Sequence, residues 1–345
     1  MKKFKAAVIG CGKISERHID AIVALDTVDL VAVCDIKEDR AKSTAIKYSV
    51  KSYTDYIEMF KTEQLDAVHI CLPHYLHTIV AQKAFEYGIN VLSEKPMSIK
   101  YEDAVKTVDI ARKKGLQYGV IFQCRYNTPS QLVKKRILDG SLGKVLCGRT
   151  TLTWSRSDEY YSESDWKGTW DKEGGGVMID QAIHSLDLAN WFIDSTPAEI
   201  QSSLHNRNHK IMTVEDSAEG LIKYENGVLL SFFAMNNYLI NEPIEIRLYC
   251  ENGTAKLSYT EAEITYNNGT KEYETNKPQK IVSYTGGKEY WGLQHAVQID
   301  NFYKALLGAE PLDLSGEEAL KIQKIICSIY ENDDCGIKNK RFSKS

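Results

Sequence analysis

The turn Gly10-Cys11-Gly12-Lys13-Ile14-Ser15 constrains the fold of this chain more than any other feature. It follows a β-branched run, Ala6–Ile9, and opens a stretch in which Ile14, His18, Ala21, Ile22 and Leu25 recur at helical spacing. A glycine turn between a strand and a helix is built to receive phosphate. The first glycine allows the tight turn, the second lets the backbone approach a pyrophosphate, and the third position requires a small residue, here Ser15. The helix N-terminus adds N–H donors and the positive end of its dipole. Read alone, the six residues also fit an ordinary glycine turn.

Asp35 sharpens the reading. It follows a second β-run, Asp29–Cys34, about 20 residues beyond the turn, where an acid accepts hydrogen bonds from ribose hydroxyls. Its charge would repel a 2′-phosphate, so NAD is expected over NADP. Lys37 and Arg40 nearby leave NADP open. The alternative role for Asp35 is to cap the helix expected at 37–47.

The pattern continues. Asp66–Leu72, Ile89–Leu92 and Gln117–Phe122 read as strands, with helices expected at Tyr75–Tyr87 and Tyr101–Lys114. Val- and Ile-rich strands separated by helices predict a parallel sheet covered on both faces. After Arg125 the texture changes. A helix at Pro129–Leu138 leads into a strand at Lys144–Ser155 and a helix at Val177–Phe192. Asn226-Gly227, Asn252-Gly253 and Asn268-Gly269 then mark three hairpins, and helices near Leu293–Leu306 and Gly316–Tyr330 close the chain. The fold class expected is α/β. Residues 1–123 form a Rossmann dinucleotide-binding domain, and residues 124–345 an α+β domain with a large, mainly antiparallel open sheet.

With 345 residues the chain can bury two cores without staples. Lys and Arg number 43 against 47 Asp and Glu, so the basic excess of a nucleic-acid binder is missing. The eight cysteines include no C-x-x-C pair, and several sit in apolar runs, such as Cys34 and Cys71. They read as buried thiols in a reducing cytoplasm. No run is long enough to span a membrane. Lys2-Lys3 ahead of Val8–Cys11 superficially resembles a lipoprotein signal, but the apolar stretch is too short and Lys5 interrupts it.

Two further segments carry chemistry. In Ser93-Glu94-Lys95-Pro96, the proline ends strand pairing and puts Lys95 at the carboxyl edge of the parallel sheet, where α/β ligands bind. A lysine there can polarise a substrate oxygen. In Gly174–Asp187, three glycines lead into a helix bearing Asp180 and His184, four residues apart and so on one side. A histidine beside a carboxylate suits general-base work near neutral pH; a surface carboxylate–imidazole pair is the plainer alternative. His74-x-x-His77 and His205-x-x-x-His209 have metal-like spacing without a third ligand, so no metal is expected. His74 and His77 follow Leu72-Pro73 at a strand end, which favours cofactor contact.

Taken in order, the glycine turn with His18, Leu72-Pro73…His77, Glu94-Lys95-Pro96 and Gly174–Asp187 resemble the Gfo/Idh/MocA family of nicotinamide-dependent sugar and polyol oxidoreductases. The resemblance spans nearly the whole chain. It implies that Lys95, Asp180 and His184 fill the catalytic positions. It implies cofactor contacts from Gly10, Gly12, Lys13, Ile14, Asp35, Leu72, Pro73, His74, His77, Glu94, Lys95, Gln123, Trp166 and Lys167. Substrate contacts are implied for Lys95, Tyr126, Trp170, Asp180, His184 and His295. The segment Tyr160-Tyr161…Trp166-Lys167…Trp170 is similar to one that closes over nicotinamide and substrate. Many relatives carry Trp-Arg where this chain has Trp166-Lys167, which keeps the charge and loses the planar fork. Trp291-Gly292…His295 is similar to a late segment whose histidine reaches the substrate. A homodimer or homotetramer through the open sheet is also implied.

The expected reaction is hydride transfer between a sugar or cyclitol carbinol and NAD, with NADP possible. His184 takes the hydroxyl proton, Lys95 stabilises charge on the same oxygen, and Asp180 orients substrate and His184. Two alternatives stand beside it. One is a redox-neutral NAD-dependent glycosidase or lyase on the same fold. The other is a ligand-sensing regulator without turnover.

Overall fold

The computed structural model describes residues 3–277 and 294–337. Its first strands and helices follow the alternation of the sequence. They are β1 (Phe4–Ile9), α1 (Ser15–Ala24), β2 (Val28–Cys34), α2 (Glu38–Tyr48), β3 (Lys51–Tyr53), α3 (Tyr56–Thr62), β4 (Ala67–Ile70), α4 (His77–Glu86), β5 (Asn90–Ser93), α5 (Tyr101–Lys114) and β6 (Tyr118–Val120). They build a six-stranded sheet in the order β3-β2-β1-β4-β5-β6, with every pair parallel. That is the doubly wound order, and the strand order reverses between β1 and β4. Ala6, Ala7, Val8, Ala67, Val68 and Ile70 are fully buried, as strands covered on both faces require.

β3 and α3 do not show in the hydrophobic pattern. Lys51-Ser52-Tyr53 is short and mostly polar, and it forms a strand because β2 offers it an edge. α3 begins at a local signal instead: Asp55 accepts the Ile57 N–H at 2.8 Å, an N-cap.

The chain then runs through α6 (Thr128–Leu138), β7 (Val145–Thr153), α7 (Asp158–Ser162), a π-helical turn (Met178–Ala182) and α8 (Ile183–Ile193). The strands β8 (Pro197–His205), β9 (Ser217–Tyr224), β10 (Leu229–Met235), β11 (Glu245–Cys250), β12 (Gly253–Leu257), β13 (Glu261–Tyr266) and β14 (Lys271–Thr275) follow. Eight strands order as β14-β13-β12-β11-β7-β10-β9-β8. All neighbours are antiparallel except β7 and β10. The three Asn-Gly turns close β9–β10, β11–β12 and β13–β14. One face of the sheet buries Thr150, Leu152, Leu230, Phe232, Ile246 and Leu248, and α8 packs against β7. The other face leaves Cys147, Leu229, Phe233 and Tyr249 exposed.

Two helices close the described chain, α9 (His295–Leu306) and α10 (Gly316–Glu331). Of the described residues, 3–123 with 294–320 form one compact unit, and 124–277 with 321–337 form the other. The sequence pattern alone places everything after residue 123 in the second domain. α9 departs from that because its apolar face (Ala296, Ile299, Phe302, Tyr303) packs into the same core as Ile19 and Ile22 of α1. Each such fully buried isoleucine or phenylalanine contributes about 1.5–3 kcal/mol. No helix among the described residues is long and apolar enough to cross a membrane.

Candidate active site

In the first unit the glycine turn sits where the strand order reverses. Gly10 has φ +93°, and its N–H donates to Cys34 O at 2.7 Å. A Cβ on Gly10 would lie 2.2 Å from Cys71 O, so only glycine lets β1 end beside β4. A Cβ on Gly12 would meet nothing within 4 Å. Gly12 is therefore dispensable to packing, and the space beside it is open to a ligand. Ser15 is buried and its hydroxyl donates to Gly12 O at 2.6 Å, which settles the third position of the motif. Asp35 is buried, and its two oxygens accept the N–H groups of Cys11 and Lys37, each at 2.8 Å. It thus ties the turn to the end of β2 and forms an Asx-turn ahead of α2. This cradle at a helix N-terminus, with a carboxylate at the second strand end, fits a dinucleotide. Lys13 is exposed, Ile14 is half-buried, and Gln123 is buried at the end of the unit.

Leu72 and Pro73 are half-buried after β4, and His74 and His77 are buried. The His77 ring holds two loops together: Nδ1 lies 2.7 Å from Pro96 O and Nε2 lies 2.7 Å from Leu72 O. Lys95 is half-exposed ahead of Pro96, whose peptide bond is cis.

Glu94 turns inward. Its Oε1 lies 3.1 Å from His18 Nε2 and 3.3 Å from His295 Nε2, while Oε2 accepts the Lys95 backbone N–H at 3.2 Å. His18 Nδ1 lies 2.8 Å from His69 Nδ1, and His69 Nε2 lies 2.9 Å from Tyr303 Oη. One consistent pattern satisfies this chain. Tyr303 donates to His69, His69 to His18, and both His18 and His295 to the Glu94 carboxylate. Each ring then carries one proton. Burial lowers the pKa of His18 and His69 to match. Burial would raise Glu94, but the His18 and His295 hydrogen bonds outweigh it and hold the carboxyl well below its usual range. His18, Glu94 and His295 are also the described residues that could hold a metal, with ligand atoms within 4.8 Å of one another. The hydrogen bonds close the set as it stands. His295, read from sequence as reaching the substrate, is 3% exposed and turned to Glu94. Trp291 and Gly292 lie outside the described residues.

In the second unit, Gly174–Gly176 lead into the π-turn. A Cβ on Gly175 would lie 2.0 Å from Tyr330 Oη, and one on Gly176 would lie 1.9 Å from Glu215 O. The buried Glu215 carboxylate accepts the N–H groups of Gly176 and Met178 at 3.0 Å and the Tyr330 hydroxyl at 2.8 Å. The Ile179 N–H donates to Tyr330 Oη at 3.2 Å. The first N–H groups of the helix are satisfied by side chains 37 or more residues away, and no sequence signal near the glycines announced them.

From Val177 to Ile193 only Asp180, His184 and Trp191 escape full burial. Asp180 Oδ2 receives Lys167 Nζ at 2.8 Å, Gln181 Nε2 at 2.8 Å and the Tyr160 hydroxyl at 3.2 Å. Lys167 also bonds the Tyr160 hydroxyl, and its ammonium stands 5.1 Å from the Trp166 ring centroid. Burial works against the Lys167 charge, but Asp180 outweighs it and keeps the pKa above the usual value. Behind them Glu173 is buried, and burial pushes its carboxyl up to about 8. Trp170 is half-buried, donates from Nε1 to Thr213 O at 2.9 Å and meets Tyr330 edge-on. Tyr126 is half-buried. Its neighbour Arg125 makes a buried bidentate pair with Asp187, 2.8 and 2.6 Å, which fixes α8. His205 and His209 have separate partners: His209 Nδ1 lies 2.8 Å from Asp158, and His205 Nε2 lies 3.2 Å from Ser203 Oγ.

Comparison with known proteins agrees with both halves. Residues 4–122 match the oxidoreductase family with an NAD-binding Rossmann fold, and residues 130–256 match the GFO/IDH/MocA C-terminal domain. The chain is 27% identical to the D-glucoside 3-dehydrogenase of Escherichia coli (strain K12), over 96% of each chain. It is 27% identical to the 2,7-anhydro-N-acetylneuraminate hydratase of Mediterraneibacter gnavus, over 61% of this chain and 54% of that one. The crystal structure of the WlbA dehydrogenase from Chromobacterium violaceum, in complex with NADH and UDP-GlcNAcA, superposes with a TM-score of 0.85 at 26% identity, over 97% of this chain and 95% of that one. The chain therefore belongs to the Gfo/Idh/MocA oxidoreductases, the family that joins an NAD-binding Rossmann fold to this C-terminal domain.

Proposed function

We propose that the protein oxidises a ring carbinol of a pyranose or cyclitol, with Lys95, Asp180 and His184 as its catalytic group. The observation that carries this reading is on the π-turn and α8. Along an otherwise buried segment, Asp180 and His184 are the polar side chains that keep some exposure, and Lys167 Nζ bonds Asp180 Oδ2 at 2.8 Å. That is a carboxylate and an imidazole four residues apart on one segment.

Gly10, Gly12 and the N-terminus of α1 would hold the pyrophosphate of NAD and Asp35 its ribose, and the nicotinamide would supply the hydride acceptor for the carbinol carbon. His184 removes the hydroxyl proton as general base. Lys95 donates a hydrogen bond to the same oxygen and offsets its developing charge. Asp180, fixed by Lys167 and Tyr160, orients the substrate. Trp166 and Trp170 offer ring faces to the apolar side of a sugar. The D-glucoside specificity in one relative's name and the sugar nucleotide bound to a structural neighbour support a sugar substrate.

The similarity to a hydratase supports a second reading, in which the hydride returns within one turnover and no NADH accumulates. The exposed face of the second sheet, with Leu229, Phe233 and Tyr249, supports a homodimer or homotetramer. Eight free cysteines, four of them buried, support a reducing compartment such as the cytoplasm. The test is NAD reduction against inositols, hexoses, glucosides and sugar nucleotides, with NADP in parallel and products analysed. NADH formed with one substrate class supports the dehydrogenase. Product without NADH supports the redox-neutral cycle.

A further inference from the structure

The His77 ring is fully buried, and both its nitrogens face carbonyl oxygens, Pro96 O and Leu72 O, each at 2.7 Å. A carbonyl oxygen can only accept. A neutral imidazole has one N–H and one lone pair, and only the imidazolium donates from both nitrogens. A one-proton ring here would press a lone pair against a carbonyl oxygen with no water between them. The same accounting applied to His18 and His69 needs only one proton per ring, because Tyr303 donates at one end and Glu94 accepts at the other.

Burial favours a neutral His77 and is the largest single influence, lowering its pKa. The two carbonyls and the Glu94 charge pull the other way, and Lys95 opposes them. The titratable neighbour on its own segment is His74, with ring centroids 5.9 Å apart. Behind Glu94 stand His18 and His295, each donating to the carboxylate. The decisive fact is the pair of short contacts to acceptors that cannot donate.

We propose that His77 is a positioning residue that works as a buried imidazolium, tying the carbonyl that follows β4 to the carbonyl that follows Lys95. The Leu72 side chain reaches toward Gly10, with its Cδ2 3.2 Å from where a Cβ on that glycine would lie. One ring thus sets the spacing between the wall of the glycine turn and the loop that carries Lys95. Loss of one proton breaks one of the two bonds and releases the Lys95 loop. The consequence for turnover rests on the catalytic reading of Lys95; the protonation state does not.

The test is nitrogen-15 NMR of the full chain with labelled histidine, read from pH 5 to 8. The expected result is one solvent-protected ring with two slowly exchanging N–H protons. That signal is absent from H77Q; should H77Q not fold, its retention in H18Q, H69Q, H74Q, H209Q and H295Q assigns it by elimination among the buried histidines. Only single-proton rings among the protected histidines would overturn the proposal, whatever the activity. In turnover, H77Q lowers kcat by roughly a hundredfold, as a displaced catalytic group does. It also removes the alkaline limb that His77 gives the wild type, a change that mere loss of packing would not produce. An unchanged limb in a folded H77Q would overturn the positioning role. Absence of turnover in the wild type would count against the dehydrogenase reading and leave the NMR result standing.

Discussion

Lys167 Nζ lies 2.8 Å from Asp180 Oδ2, with the two side chains 16% and 10% exposed. A buried pair of this kind costs far more when one partner is removed than it contributes when both are present. Lys167→Met would leave the Asp180 charge without its main counter-ion. The expected outcome is a loss of about 3 kcal/mol in stability, at the lower end for a broken buried pair. Asp180→Asn together with Lys167→Met should lose less than the sum of the two single changes. Denaturant melts of the four proteins check this.

The glycine turn separates folding from cofactor binding. Gly10→Ala places a Cβ 2.2 Å from Cys71 O at φ +93°, so the chain should fold poorly. Gly12→Ala meets no protein atom within 4 Å and should melt within about 1 kcal/mol of wild type. It should nevertheless weaken NAD binding by at least about tenfold, because the methyl enters the space a pyrophosphate needs. Calorimetry of NAD binding beside thermal melts distinguishes the two positions. Normal NAD affinity in Gly12→Ala would contradict the placement of the cofactor.

Those two glycines show what was legible in the sequence. The turn, its strand and its helix are neighbours in the chain, so spacing carries the information. So do the three Asn-Gly hairpins and Asp35. What stayed hidden are contacts between distant residues. Glu94 meets His18 from 76 positions away, and Tyr330 meets Glu215 from 115. Asp180 and His184 read as neighbours on an α-helix. The helix instead opens with a π-turn, its first N–H groups held by Glu215 and Tyr330. α9 joined the first unit through an apolar face that looks the same in sequence whichever core it fills. Nothing in the segment around Trp166 announces that Lys167 pairs with Asp180.

Stability should fall as pH rises through the neutral range. Burial raises Glu173 from the usual 4.5 to about 8 and Glu215 to about 7. With folded values above unfolded ones, the native chain binds more protons between pH 4.5 and 8. The stabilisation is complete below pH 4.5 and is lost as pH rises through 7 and 8. For Glu215 alone the change is on the order of 3 kcal/mol. Melts from pH 6.5 to 8.5, above the range in which burial of His18, His69 and His77 opposes it, should show this decline, with a shallower slope in Glu173→Gln. A rise in stability over the same range would contradict the account.

Asp35 bears on cofactor choice. Asp35→Ala removes the acceptor for the Cys11 and Lys37 N–H groups and the charge that repels a 2′-phosphate. NAD affinity should drop, and the preference for NAD over NADP should narrow by about 1.5–3 kcal/mol, the value of a hydrogen bond to a charged group. Titration of both nucleotides checks the ratio.

The most direct test of the central claim is steady-state NAD reduction by the wild type, Lys95→Ala and His184→Ala, with NAD binding measured on the same preparations. The account predicts NADH formation with one class of sugar or cyclitol. It also predicts that kcat falls by about 10²–10⁴ in each variant, the usual contribution of a positioned acid–base group, in preparations that still bind NAD. Full turnover in either variant with cofactor bound would contradict the assignment of Lys95 and His184.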